Sequence, residues 1–147
     1  MNWKYIVIHH SLTEDSKTVS WSAIRKYHKE YRGWSDIGYH FGIEDVYGEY
    51  EVMVGRPLTR PGAHCYQREM NKYGIGICFV GNYDIVKPDM SMLLIAMNRI
   101  ILPLCKIYGI GWNGIIGHGE VYGVQKTCPG KLFDLDMYRE LIRHELK

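Results

Sequence analysis

Three groups of side chains that can bind a metal sit at the ends of predicted strands or in the loops that follow them. They are His9-His10, His118 and Cys128. Side chains at the ends of neighbouring strands in layered α/β folds converge on one edge of the sheet, where ligands bind. Two imidazoles and a thiolate suit zinc, which in catalytic sites takes three protein ligands and leaves a fourth position for water. The residue types therefore indicate one hydrolytic zinc ion.

The same residues also have an ordinary interpretation. A single histidine in a folded domain is usually hydrogen-bonded within the structure, and a single cysteine usually packs as a small apolar group. No short motif with fixed spacing links His118 or Cys128 to the first pair of histidines. Spacing alone therefore leaves both interpretations open.

Alternating apolar runs and amphipathic stretches predict the elements that would position these residues. The predicted strands cover Tyr5–His10, Ile37–Glu44, Glu49–Val54, Gly74–Val80 and Gly114–Gly117. The predicted helices run from Trp21 to about Tyr31 behind a Ser20 cap, from Pro88-Asp89 to about Tyr108 with a kink at Pro103, and from Asp134 towards Glu145. This order predicts a single α/β domain (α+β in some schemes) covering residues 1–147, with helices on both faces of a central mixed sheet.

Composition and charge argue against several other classes of protein. The 18 Lys+Arg and 16 Asp+Glu leave a formal charge of +2, which gives no support for nucleic-acid binding. Polar residues and Pro103 interrupt the apolar stretch 92–110, so we expect a buried helix and no membrane span. No secretory signal opens the chain, so we expect synthesis in the cytoplasm. The four cysteines form no CxxC pair, so we expect no disulfides in that compartment. We also expect a monomer.

Five motifs follow one another in a recognisable order. They are Ile6-Val-Ile-His-His10, Asp36-Ile-Gly-Tyr-His-Phe41, Gly62-Ala-His64, Gly74-Ile-Gly-Ile-Cys-Phe-Val-Gly81, and Gly117-His118 through Lys126-Thr-Cys-Pro-Gly130. Together they resemble the type 2 N-acetylmuramoyl-L-alanine amidase family, from about residue 3 to residue 140. That family includes phage lysozymes of the amidase type, bacterial muropeptide-recycling amidases and animal peptidoglycan recognition proteins. Each motif alone is weak, but five in register are specific.

The resemblance implies a zinc-dependent hydrolase that cuts the amide bond between N-acetylmuramic acid and L-alanine in peptidoglycan or a muropeptide. Carried over residue by residue, the zinc ligands are His9, His118 and Cys128. The catalytic helpers are Lys126, which would stabilise the oxyanion, and Tyr39, which would relay a proton beside the metal. Without the resemblance, these two residues would be interpreted as a solvated lysine and a packed tyrosine.

Three further residues near the motifs have weaker assignments. We expect His64 to line the groove near the zinc and Asn71 to bind the stem peptide through its amide. Trp34 could stack on a sugar, but its position favours a place in the core. His10, the neighbour of His9 on the first strand, should point to the opposite side, because side chains alternate along a strand.

The chain mixes features of two branches of the family, since its spacing resembles the recycling amidases and not the shorter spacing of the phage enzymes. The ten positions from His118 to Cys128 match the recycling branch, but it carries Asp as the last ligand and a Glu base in the Gly-Ile-Gly-Ile strand. Here those positions hold Cys128 and Cys78. A thiol cannot replace a carboxylate base with the same ease at neutral pH. The phage-like arrangement with Tyr39 is therefore the better template, and the base remains open.

Several functions remain compatible with the sequence. The leading one is a phage or prophage endolysin that reaches the cell wall once a holin releases it; the alternatives within catalysis include a cytoplasmic muropeptide-recycling amidase. A non-hydrolytic peptidoglycan-binding module is the chief rival, but such members resemble the enzymes with a lost ligand, and all three ligands are present here. A polymerase inhibitor, a second role of one phage member, would be favoured by a basic or apolar N-terminal tail, which this sequence lacks.

Overall fold

A five-stranded sheet in the order β3-β2-β4-β1-β5 forms the centre of the molecule. The computed structural model describes residues 1–12 and 20–147. The strands are β1 (Tyr5–His10), β2 (Phe41–Val46), β3 (Glu49–Val54), β4 (Gly74–Phe79) and β5 (Ile115–Gly117). β1 runs parallel to both of its neighbours, β4 and β5, while β2 pairs parallel with β4 and antiparallel with β3. The carboxyl ends of β1, β4 and β5 therefore meet at one edge.

Five α-helices surround this sheet, and side-chain caps define where two of them begin. The helices are α1 (Trp21–Glu30), α2 (Met70–Tyr73), α3 (Met90–Ala96), α4 (Leu102–Tyr108) and α5 (Leu135–Glu145). The Ser20 hydroxyl accepts a hydrogen bond from the Ala23 N–H, and the Asp134 carboxylate accepts one from the Met137 N–H. Both caps satisfy backbone donors that the first helical turn leaves unpaired, as the sequence predicted.

The two faces of the sheet pack against different elements. The apolar face consists of fully buried, bulky side chains that join the main core with α3, α4 and α5: Ile6, Ile8, Ile75, Ile77, Phe79 and Ile115. The opposite face, called here the site face, carries Val7, His9, Gly42, Gly76 and Cys78, with Trp21 of α1 packed over part of it. A mixed sheet with helices on both faces confirms the predicted fold.

The long helical stretch Met90–Tyr108 is interrupted in its middle. A π-helical turn, Met97–Ile101, separates α3 from α4 immediately before Pro103. Proline lacks an N–H and its ring clashes with the carbonyl four residues earlier, and a wider turn relieves that clash. The sequence predicted this break. The stretch is also long and apolar enough to cross a membrane, and half of its most apolar window is buried inside the fold.

The second strand begins later than the sequence predicted. β2 starts at Phe41, whereas the prediction had a strand from Ile37 onwards. Residues 37–40 are bent because their backbone groups bond to several different elements: the Gly38 N–H donates to the His28 ring and the His40 N–H donates to the Gly76 carbonyl. Tyr39 consequently lies in a bend ahead of the strand.

Candidate metal centre

His9, His118 and Cys128 meet at the carboxyl end of β1. Their ligand atoms all lie within 4.8 Å of one another, and all three residues are buried. His9 Nδ1 is 3.8 Å from Cys128 Sγ, and the rings of His9 and His118 are 4.5 Å apart. The structure thus brings together the three side chains that the sequence assigned to zinc.

The sheet register and one close backbone contact explain this convergence. Ile8 pairs with Gly117, so His118, the next residue after β5, comes to lie beside His9. The Gly119 N–H then donates to the Cys128 carbonyl over 2.7 Å, which closes the loop between the second and third ligands. A Cβ at Gly119 would lie 3.0 Å from that carbonyl oxygen, so this approach needs a residue without a side chain.

Burial favours the protonation state that metal binding requires in the two histidines, but not in the cysteine. Desolvation lowers the pKa of His9 well below its usual range and that of His118 to about 4, and the charge of Lys126 contributes to both shifts. Both imidazoles are therefore neutral near pH 7 and offer a lone pair. Burial raises the pKa of the Cys128 thiol to about 12, so a bound cation would have to displace its proton. Two neutral imidazoles and one displaceable thiol proton form a donor set that fits zinc.

His10 lies beside the trio but uses its side chain elsewhere. Its Nδ1 accepts a hydrogen bond from the Tyr83 N–H over 3.1 Å, and its ring stacks on Tyr83. Its backbone N–H points the other way and donates to Cys128 Sγ over 3.4 Å. The main chain of His10 therefore donates a hydrogen bond to the sulfur of the trio, while its imidazole accepts one from the loop that follows β4.

His64 lies underneath His9. Its Nδ1 is 2.9 Å from His9 Nε2, and its own Nε2 is 2.8 Å from the carbonyl oxygen of Gly74. Burial lowers the pKa of His64 to about 3, with a further contribution from His40. The structure places this ring next to a ligand, as the sequence suggested, but both of its nitrogens already face groups of the protein.

Asn71 does not line the cavity above the trio, where the sequence prediction placed it. Its side-chain oxygen accepts hydrogen bonds from the backbone N–H groups of His64 and Cys65, over 2.6 and 2.8 Å. Its own carbonyl accepts a third, from Gly62. With its amide oxygen engaged in this way, Asn71 fixes the loop that carries His64. This role could not be predicted from the sequence, because it depends on which backbone groups lie beside Asn71 in the folded chain.

Tyr39 and Cys78 form a second pair of polar groups close to the trio. The Tyr39 ring lies 5.1 Å from the His9 ring, and its hydroxyl is hydrogen-bonded to the Cys78 thiol. Burial raises the pKa of both groups well above their usual ranges. Both are therefore protonated near neutral pH, so each is suited to hydrogen bonding and neither is a base in the resting protein.

A cavity of about 850 Å³ opens above the trio. Lys126 and Arg32 contribute positive charge to its wall, and no Asp or Glu belongs to its lining within the described ranges. Its far side is aromatic: Tyr27 and Trp34 line it, and the Arg32 guanidinium lies 5.1 Å from the Trp34 ring centre. Tyr27 and Arg32 were not predicted as site residues. The preference for Trp34 in the core was wrong, because the residue is only partly buried and lines the cavity.

The chain matches the family described as N-acetylmuramoyl-L-alanine amidase over residues 1–131. Peptidoglycan-recognition protein SC1a of Drosophila melanogaster is 34% identical over 138 residues, which cover 86% of this chain and 67% of that protein. The solved endolysin N-acetylmuramoyl-L-alanine amidase LysCS from Clostridium intestinale superposes with a TM-score of 0.80 at 27% identity, covering 96% of this chain and 84% of that one. A Drosophila PGRP-LB mutant in complex with tracheal cytotoxin gives a TM-score of 0.73 at 27% identity, with 92% and 79% covered.

These likenesses extend over the sheet and the candidate centre alike. The matched region 1–131 contains all five strands and each of His9, His118 and Cys128. The similar solved chains include a named amidase and a protein in complex with tracheal cytotoxin. The chain belongs to the N-acetylmuramoyl-L-alanine amidase family.

Proposed function

We propose that this protein is a zinc-dependent hydrolase that cleaves the amide bond between N-acetylmuramic acid and L-alanine. The observation that carries the proposal is the buried trio of His9, His118 and Cys128 at the floor of a cationic cavity. A binding module would need the cavity but not the trio. The retention of all three donors therefore favours catalysis over recognition alone.

A zinc ion held by the trio would supply Lewis acidity to the scissile carbonyl and would activate water near neutral pH. Two features of the chain favour metal binding by these ligands. Desolvation keeps His9 and His118 neutral, so their lone pairs are available. The His10 backbone N–H donates to Cys128 Sγ, and a hydrogen bond to sulfur favours its deprotonated form.

Lys126 stands where it can stabilise negative charge that develops on the substrate. It is exposed at the mouth of the cavity, and its charge acts on each member of the trio. We propose that the ammonium group approaches a carbonyl oxygen that is bound above the trio. That oxygen carries most negative charge in the tetrahedral transition state, so the stabilisation acts mainly on the chemical step.

We assign Tyr39 the role of a hydrogen-bond partner rather than that of a base. Its raised pKa keeps the hydroxyl protonated, and the Cys78 thiol beside it is protonated as well. A neutral hydroxyl next to His9 can orient water and pass a proton on towards the leaving amine. No described carboxylate lines the cavity, and we assign the relay to Tyr39 because its ring lies 5.1 Å from the His9 ring.

The wall of the cavity suits peptidoglycan. The Arg32 guanidinium can pair with a carboxylate of a stem peptide, and the ring of Trp34 can pack against a sugar. The Drosophila PGRP-LB mutant of similar fold was solved in complex with tracheal cytotoxin, and the Clostridium intestinale protein is named an endolysin. By analogy we propose a monomeric phage or prophage endolysin that is made in the cytoplasm, spans no membrane and acts on the cell wall after release by a holin.

Digestion of purified sacculi tests the proposal. We expect stem peptides with free L-alanine amino ends and intact glycan chains, read by mass spectrometry, and no such products from the Cys128→Ala variant. New reducing sugar ends would identify a glycosidase instead. Binding to sacculi without products would identify a recognition module, to which the resemblance to SC1a also extends. Turnover of soluble muropeptides but not of sacculi would identify a recycling amidase.

A further inference from the structure

Two imidazoles and a backbone carbonyl form a continuous row of contacts that ends at the trio. The Gly74 carbonyl oxygen lies 2.8 Å from His64 Nε2, and His64 Nδ1 lies 2.9 Å from His9 Nε2. The remaining nitrogen of His9, Nδ1, faces Cys128 Sγ at 3.8 Å. We call this row from Gly74 through His64 to His9 the imidazole row.

The carbonyl at one end determines where the protons of the row lie. A carbonyl oxygen only accepts hydrogen bonds, so His64 Nε2 must carry a proton. A doubly protonated His64 would be a buried cation whose nitrogens face a carbonyl and an imidazole instead of a carboxylate, which is costly. The ring is therefore neutral, its Nδ1 is an acceptor, and His9 Nε2 donates to it. His9 Nδ1 then keeps a free lone pair, directed towards the trio.

The position of the His64 ring is fixed from several sides. A Cβ at Gly76 would lie 2.6 Å from the ring, and one at Gly62 would also overlap it, so two glycines provide the slot in which it lies. The Asn71 side-chain oxygen accepts hydrogen bonds from the backbone N–H groups of His64 and Cys65, on either side of the His64 Cα. This amount of support is unusual for a residue that merely fills space, and it suits a residue whose orientation matters.

We propose that His64 is a positioning residue that fixes the tautomer of His9, so that Nδ1 is the nitrogen offered to the metal. This inference rests on the proposed metal at the trio. It adds to the expectation that His64 lines the groove near the metal: the residue belongs to the cavity lining, and both of its ring nitrogens are engaged with the protein. Partners that orient a metal-bound imidazole typically contribute 10- to 100-fold to metal affinity.

The first test needs no substitution. Two-bond proton–nitrogen correlation spectra of the metal-free protein, with ring nitrogens labelled, report which nitrogen of each histidine carries hydrogen. We expect His9 and His64 both as the Nε2–H tautomer. A His9 with hydrogen on Nδ1, or a doubly protonated His64 at neutral pH, would overturn the inference, whatever the protein does with metal or substrate.

The second test compares two replacements of the same ring. His64→Gln retains an acceptor and a donor, whereas His64→Leu retains neither. Competition with a chromophoric chelator should show about 10- to 100-fold weaker zinc binding by the leucine variant and recovery of most of that loss by the glutamine variant. Equal zinc affinity in the wild type and a folded His64→Leu variant would refute the positioning role.

His40 provides a matched control. It is fully buried and its ring also makes two backbone hydrogen bonds, with the Gly76 N–H and the Arg60 carbonyl, but neither bond reaches the trio. His40→Leu should therefore lower thermal stability and leave zinc affinity within about twofold of the wild type, since it removes no partner of a ligand. A wild-type protein that binds no zinc, yet shows the expected tautomers, would refute the proposed function and leave the imidazole row standing.

Discussion

The two faces of the sheet are built from the same strands and differ in almost every physical property. On the apolar face, residues such as Ile8, Ile75 and Ile77 are fully buried and fill the space beneath α3, α4 and α5. On the site face, alternate positions of β4 hold Gly74, Gly76 and Cys78. The missing side chain of Gly76 leaves the space that the imidazole of His64 occupies. Small residues on this face of the sheet therefore leave room for the side chains that surround the metal centre.

This difference implies that substitutions on the two faces should be detected by different measurements. A change on the apolar face removes packing, which contributes to the free energy of unfolding. A change on the site face alters partners of His9, which affects metal affinity and turnover. The predictions that follow compare positions from the two faces.

Loss of a ligand should have the largest effect. Cys128→Ala or His118→Ala should reduce zinc from about one ion per chain to background and abolish hydrolysis, because two remaining protein donors hold the ion poorly. Inductively coupled plasma mass spectrometry and turbidity loss of sacculi measure the two quantities. Ile77→Ala on the apolar face is the control: it should lower the free energy of unfolding by about 2–5 kcal/mol and keep zinc. Full activity of a zinc-free Cys128→Ala protein would remove the metal from the mechanism.

Lys126→Ala should have the next largest effect, about a 10²-fold lower kcat with zinc retained. The side chain is exposed at the mouth of the cavity, so thermal unfolding should barely change. Steady-state kinetics on a soluble muropeptide separate the two kinetic constants. If KM rises while kcat stays constant, Lys126 binds the substrate and does not stabilise the transition state.

Gly76→Ala should weaken zinc binding about tenfold although the residue touches no ligand, because its methyl group would push the His64 ring out of line with His9. Chelator competition gives the affinity. The preceding residue supplies the comparison, since Ile75→Val changes the apolar face of the same strand. It should cost about 0.5–1.5 kcal/mol of stability and leave the affinity unchanged. Equal zinc affinities in the two variants would mean that the slot does not position the ring.

His10→Ala should have the smallest effect on the metal. It removes the imidazole that accepts from the Tyr83 N–H, which should cost about 1–3 kcal/mol of stability, but the backbone donor to Cys128 Sγ remains. Zinc content should match that of the wild type, whereas His9→Ala should lose the ion. The reverse pattern would show that the strand presents its two histidines the other way round.

Local pattern was enough to predict most of the elements. β1, β3 and the two capped helices begin where their side chains predicted, because alternation and capping depend on residues a few positions apart. The π-helical turn before Pro103 follows from the same local chemistry. The metal ligands required the resemblance to a family, since nothing in their spacing distinguishes them from packed residues.

The remaining features depend on contacts between distant parts of the chain. His64 and His9 are 55 positions apart, and no periodicity indicates that the loop of one folds under the strand of the other. Asn71 was assigned to substrate for the same reason: its amide is polar, and its backbone partners become evident only once the loop is folded. Tyr39 was placed in a strand because its apolar neighbours suit one, while the backbone bonds of that segment go to several elements.

β5 is a three-residue strand whose pairing, in the part of the chain that the structure describes, is with β1 alone. His118 follows it directly, and His9 is on β1, so an ion shared by the two would clamp the edge of the sheet to its centre. Ligand binding to the native state adds about 2.7 kcal/mol of stability at a hundredfold excess over Kd. Much of this added stability should act on β5, because the ion would hold this short edge strand against local opening. Chelation should therefore speed amide hydrogen exchange in Ile115–Gly117 more than in β4. The ion would then stabilise the edge of the sheet in addition to taking part in hydrolysis.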